Sequence, residues 1–156
     1  MRKLSLSQWA SVAEIGGTVA VVISLLLVVI SLERNTTALS AENADDLYDT
    51  FRQIELLVLN NFELANITVR GAADPDSLSE SETEIYKMWA TQYLDLWERT
   101  LIREKDGLLL PSTLEGWDEW YGDWVIRHLT YEMWKDLEWN WTEGSLRKKV
   151  EGLYVK

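Results

Sequence analysis

The chain has no cysteine and a single histidine among its 156 residues. The first absence excludes disulfides, thiolate metal sites and a cysteine nucleophile, and it leaves the redox compartment open. The second excludes multi-histidine metal centres. A serine triad would have to be built on His128, and no nucleophile elbow accompanies it. P-loop, GxGxxG and HExxH motifs are also missing. A carboxylate-bridged metal site in a helical bundle needs Glu-x-x-His on two helices. Three positions before His128 stands Val125, and there is no second histidine. A lone histidine between Arg127 and Leu129 reads as a structural helix residue. No enzyme activity, cofactor or metal is expected.

Basic residues are scarce. Fifteen Lys and Arg face 26 Asp and Glu, a formal charge of -11. Such a chain is repelled by nucleic acid and by anionic headgroups, so no nucleic-acid partner is expected. Nine tryptophans would suit base stacking only on a basic surface. Their helical spacing points instead to core and interface packing. There is no strand-like alternation, no repeat of fixed period and no second long apolar run.

One apolar run is present. Ile15 to Leu32 reads IGGTVAVVISLLLVVISL, eighteen positions without a charge. As a helix it spans roughly 27 Å, close to the hydrocarbon thickness of a bilayer. It is too long for a signal-peptide core of about 7–15 residues. The small-x-small triplet Ala38-Leu39-Ser40 lies well past its end, beyond Glu33 and Arg34. The remaining chain, about 124 residues, is too small to enclose such a helix on every side. A retained single span in the bilayer is therefore expected.

The span carries a finer pattern. Ala10, Ala13, Gly17, Ala20, Ser24 and Ser31 recur at 3–4 spacing, with Leu27 filling one gap. A second ridge, Gly16, Ala20 and Ser24, repeats every four. Helices associate in lipid by close backbone approach, so this seam predicts packing against another helix. Trp9, Glu14 and Arg34 fall where membrane-interface residues sit. A carboxylate at this depth is costly and often functional, which raises an ion-conducting oligomer with Glu14 on its path.

Beyond the span the periodicity stays helical. Leu47, Phe51, Ile54, Val58 and Phe62 share one face. No Pro or Gly interrupts Thr18 to Arg70, so one long helix is expected to Arg70. Gly71 to Ser77 reads as a break. Ser79 with Glu82 has capping-box spacing, and Ser81 with Glu84 repeats it. Glu80, Glu82 and Glu84 suit a helix N-terminus through the macrodipole. The helix from here carries Ile85, Trp89, Tyr93, Leu96, Trp97 and Leu101 and should stop at Gly107. Pro111 restarts a helix with Ser112 as N-cap and Glu115 as box partner. Trp134 to Trp141 marks a further short helix, and Ser145 caps a last one. The expected fold is all-α: a single N-terminal transmembrane helix followed by a small helical domain. The expected parts are a short head 1–8, a transmembrane helix 9–34, a long helix 35–70 continuing from the span, a loop 71–79 and an aromatic-rich helical domain 80–156.

WDEWYGDW interleaves aromatics with carboxylates. Trp117, Asp118, Trp120, Tyr121, Asp123 and Trp124 form a candidate binding surface for sugars or cations. The same pattern arises when one helix face is buried and the other is wet.

Several segments carry a resemblance in order along the chain. They are WASVAEIGGTVAVVISLLLVVISL, RNTTALSAEN, FELANITVRGAADPDSLSESE, YLDLWE, DGLL, GWDEW and the terminal Leu153-Tyr154-Val155. Together they are similar to an uncharacterised family of small bacterial single-span membrane proteins with a C-terminal helical domain. The resemblance implies architecture and placement in the bacterial inner (cytoplasmic) membrane. It implies no activity, cofactor or catalytic residue. Such proteins tend to carry more basic residues just after the span, whereas here only Arg34 stands there. Arg2 and Lys3 before the span place the N-terminus in the cytoplasm by the positive-inside rule. The resemblance favours the reverse, and the side of the acidic domain stays open.

The functional expectation is a membrane-anchored structural or interaction protein. It would self-associate or serve as accessory subunit of a larger membrane complex, with the lipid bilayer as its other partner. The alternatives are a ligand-binding or sensory module using the acidic tryptophan-rich surface, and the ion-conducting homo-oligomer.

Overall fold

The computed structural model describes residues 6–141 and 144–155, without the side chains of residues 6–9, 11 and 12. Residues 1–5 of the expected head and the side chain of Trp9 lie outside the described residues. Every regular element among the described residues is helical. The elements are α1 (Leu6–Leu59), α2 (Phe62–Ala73), α3 (Glu80–Lys105), α4 (Pro111–His128), α5 (Tyr131–Leu137) and α6 (Ser145–Tyr154), with single 3-10 turns at Pro75–Ser77 and Glu138–Asn140. The chain divides into two compact units, Met1–Leu39 and Ser40–Lys156, and the division falls inside α1.

In the first unit the apolar residues have no cover within the chain. Ile15 is 64% exposed, and even Ile30 is 45% exposed. An 18-residue window of α1 reaches a mean hydropathy of 2.7 with none of it buried, so this helix is long and apolar enough to cross a membrane. Two of its hydroxyls bond back to the helix. Thr18 Oγ1 donates to the Glu14 carbonyl and Ser24 Oγ to the Ala20 carbonyl, both at 2.9 Å. Back-bonding of this kind leaves no donor stranded in an apolar medium.

The second unit is built around α3, which packs against α2, α4, α5 and α6. Tyr86, Ala90, Leu94 and Leu96 are buried along it, with Tyr93, Trp97 and Leu101. Ile85, expected on the same stripe, is 40% exposed, and its neighbour Tyr86 takes the buried position. The start of α3 follows its sequence signal. Ser79 N–H donates to Glu82 Oε2 at 2.9 Å, and Glu82 N–H returns to Ser79 Oγ. Its end does so too. Gly107 has φ +71°, with Gly107 N–H on the Glu104 carbonyl and Leu108 N–H on the Arg103 carbonyl. That is a Schellman closure, which glycine enters without steric cost.

Several expected boundaries are corrected. The long helix does not reach Arg70. It ends at Leu59, and Asn61 restarts the chain as N-cap of α2, accepting from Leu64 N–H at 3.1 Å. The short amide side chain supplies what Pro or Gly was expected to do. Phe62, beyond the break, leaves the apolar face and is 86% exposed. Gly71 lies inside α2 rather than in the loop, and α2 runs on to Ala73. α4 starts with Pro111 at its first turn and Leu110 as N-cap, so Ser112 makes no cap. Proline needs no partner there because its missing N–H is one that the first turn leaves free. Gly144 precedes α6 and Ser145 provides no side-chain cap.

Gly71 is a buried contact point. A Cβ built on it would lie 2.5 Å from Tyr86 Cδ2 and Cε2. The Tyr86 hydroxyl in turn donates to the His128 carbonyl at 2.8 Å, so the ring cannot retreat freely. Gly71→Ala should therefore destabilise the fold by about 1–3 kcal/mol, despite the better helix propensity of alanine. A urea midpoint unchanged or raised in this variant would refute the contact.

Glu82 also gives a pH prediction. Hydrogen bonds from the Ser79 backbone and hydroxyl, then the Arg70 guanidinium, hold its carboxyl down at about 2 from 4.5. Its contribution is fully present above about pH 4.5 and is lost as pH falls towards 2. Glu82→Gln should lower stability at neutral pH and flatten the acid limb of the pH profile; parallel profiles for the two proteins would contradict this.

Candidate functional site

α3 and α4 bring their aromatic residues into one seam. Trp97 stacks on Tyr121 at 5.4 Å and 9°. Tyr93 stacks on Trp124 at 4.6 Å, and Trp124 on His128 at 4.7 Å and 12°. Trp89 closes on Trp124 and His128 from the other side. Helical spacing on both elements produces this register, because rings three and four apart share a face. Offset and edge-to-face pairs of this kind add about 0.5–1.5 kcal/mol each beyond burial.

The six residues of the expected binding surface part company here. Trp117, Tyr121 and Trp124 are 7%, 0% and 6% exposed and belong to the core. Asp118 is engaged inside the fold: it accepts Trp97 Nε1–H at 2.7 Å and is paired with the Lys149 ammonium. Asp123 faces solvent, 3.3 Å from Arg127. Only Trp120, 39% exposed, presents a ring outward. The alternation in WDEWYGDW is thus largely that of an amphipathic helix, and its six side chains do not make one common surface.

A different grouping forms instead. Trp117 and Trp120 of α4 meet Tyr48 and Phe51 of α1 around a groove of about 530 Å³. Ala44, Ser112, Thr113 and Gly116 complete its lining. Tyr48 carried no signal in the sequence, since it lies beside the Leu47 stripe rather than on it. Phe51 was legible only as a core position. A second groove, about 450 Å³, lies between the end of α1 and α3 and includes Gln53, Gln92, Asp95 and Arg99. Burial pushes the Asp95 carboxyl up, while Trp141 Nε1–H, donated at 3.1 Å, opposes the shift.

His128 is half-buried within the stack, with Nδ1 2.9 Å from the Trp124 carbonyl. Burial lowers its pKa, so it packs as a neutral ring. Among the described residues, no group of three or more carboxylates and histidines is placed to hold a metal ion.

On α1, Ala10, Ala13, Gly17, Ala20, Ser24 and Ser31 are all exposed, as are Glu14 and Arg34. A Cβ on Gly16 or Gly17 would meet nothing within 4 Å. The stripe of small residues is therefore uncovered within the chain.

No family model, curated protein or solved structure matches the chain.

The division between core and surface tryptophans can be measured. Trp124→Ala should cost about 3–5 kcal/mol, whereas Trp139→Ala, 76% exposed, should stay within about 0.5 kcal/mol. Equal melting temperatures for the two variants would place Trp124 outside the core.

Proposed function

We propose that the protein is a membrane-anchored interaction protein of the bacterial inner membrane, with the apolar part of α1 as a single span. The observation that carries this reading is that the charge-free run 15–32 is exposed on every side within its own chain. In water, eighteen such residues would be a severe liability. A bilayer, or the helix of a partner within one, removes it. The run is close to the length a bilayer requires.

The small-residue stripe supports a partner within the membrane. Gly17 and Ala20 offer close backbone approach with no bulk to displace, which is what helix association in lipid rewards. A second copy of this chain, or a helix of a larger membrane complex, fits that stripe. The second unit holds its own core and carries most of the acidic residues, so it serves as the interacting module outside the hydrocarbon. The resemblance expected from the order of segments along the chain is consistent with this reading.

Replacing Gly17 and Ala20 together with leucine should reduce the detergent-extracted complex to a smaller mass, towards the 18.1 kDa protomer. The far-UV helical signal should not change. A complex of unchanged mass would remove the stripe from the interface.

A further inference from the structure

We infer that the groove between α1 and α4 is a binding site for a quaternary ammonium group. The inference rests on the second unit alone and is independent of the membrane reading.

Three of its rings are mutually steep. Phe51 meets Trp120 at 79° with centroids 5.1 Å apart, and meets Trp117 at 72° and 5.6 Å. Trp117 and Trp120 meet at 80° and 6.5 Å. Rings meeting edge to face in this way do not form a flat stack, and Trp117, 7% exposed, is the buried floor of the corner they line. Tyr48, 5.0 Å from Trp117, extends the wall. Trp120 and Tyr48 are 39% and 53% exposed, so the corner opens to solvent.

The chemistry of the lining selects the ligand. Aromatic faces carry the negative pole of the ring quadrupole, and tryptophan attracts cations most strongly. Among the described residues, no Lys, Arg or His lines the groove, so none of them places a cation in the corner. The chain's formal charge of -11 adds a favourable field for cations and disfavours anions. The polar side-chain groups of the lining are the hydroxyls of Tyr48, Ser112 and Thr113 and the indole N–H groups of Trp117 and Trp120. Among the described residues, no side-chain carboxylate or amide is present in the lining for the hydrogen-bonding that sugar recognition requires. An alkylated ammonium needs none: it is weakly hydrated, has no N–H to satisfy, and presents methyl groups to the rings.

The test uses the full chain in maltoside micelles, which have no choline headgroup. Choline is titrated while its N-methyl proton resonance and the tryptophan fluorescence are followed. The expected result is saturable binding with an upfield ring-current shift of the N-methyl signal. The neutral isostere 3,3-dimethylbutan-1-ol should bind markedly more weakly. Trp120→Leu and Tyr48→Leu alter exposed rings, so the helical signal and melting temperature should hold while choline binding weakens about 2- to 30-fold each. Two further samples separate free solute from lipid headgroup. In phosphatidylglycerol discs, saturation by added choline identifies a free ligand. In phosphatidylcholine discs, a fluorescence change before choline is added identifies the headgroup. No response to choline in any sample, or an equal response to the neutral isostere, overturns the inference.

Discussion

The second unit depends on the aromatic contact between α3 and α4. At its centre Trp97 and Tyr121 lie face to face, both closed to solvent. Each ring removes about 150–250 Å² from water, far more than an aliphatic residue. This lets about 117 residues, with no disulfide, hold a fold. Asp118 ties the contact together from the side, joining α3 through Trp97 and α6 through Lys149. The polar tips are less well served. Among the described residues, the buried Trp89 and Trp117 Nε1–H groups and the Tyr121 hydroxyl of this contact meet no hydrogen-bond partner. The seam is therefore held mainly by ring packing rather than by hydrogen bonds among its polar tips.

The first unit obeys different physics. Its apolar residues surround the helix and find no core, so its stability depends on what environment surrounds it. The threonine and serine hydroxyls turned back on the helix suit a medium that offers no hydrogen bonds. One chain therefore combines a module that makes its own apolar interior with a helix whose apolar side chains from Ile15 to Leu32 are exposed.

Much of this was legible in the residues, and the failures are instructive. The capping box at Ser79 and Glu82, the glycine stop at 107 and the proline start at 111 are local signals, settled within one helical turn. Gly71 misled because a glycine also permits close packing, and only the approach of Tyr86 from α3 tells the two uses apart. Asn61 is a weak signal in the sequence because asparagine caps less visibly than proline breaks. The candidate site failed for a related reason. WDEWYGDW names the residues of one helix, whereas the groove takes two of them and joins them to Tyr48 and Phe51, some seventy positions earlier. No periodicity on a single helix encodes that meeting.

Membrane insertion of α1 is the premise on which the functional reading stands. The most direct test is to fractionate cells expressing the full chain, wash the membranes at alkaline pH, and weigh what mild detergent releases. Retention through the wash, followed by release at a mass above that of the 18.1 kDa chain and its micelle, is expected. Recovery in the soluble fraction as an 18.1 kDa monomer would contradict both the span and its association.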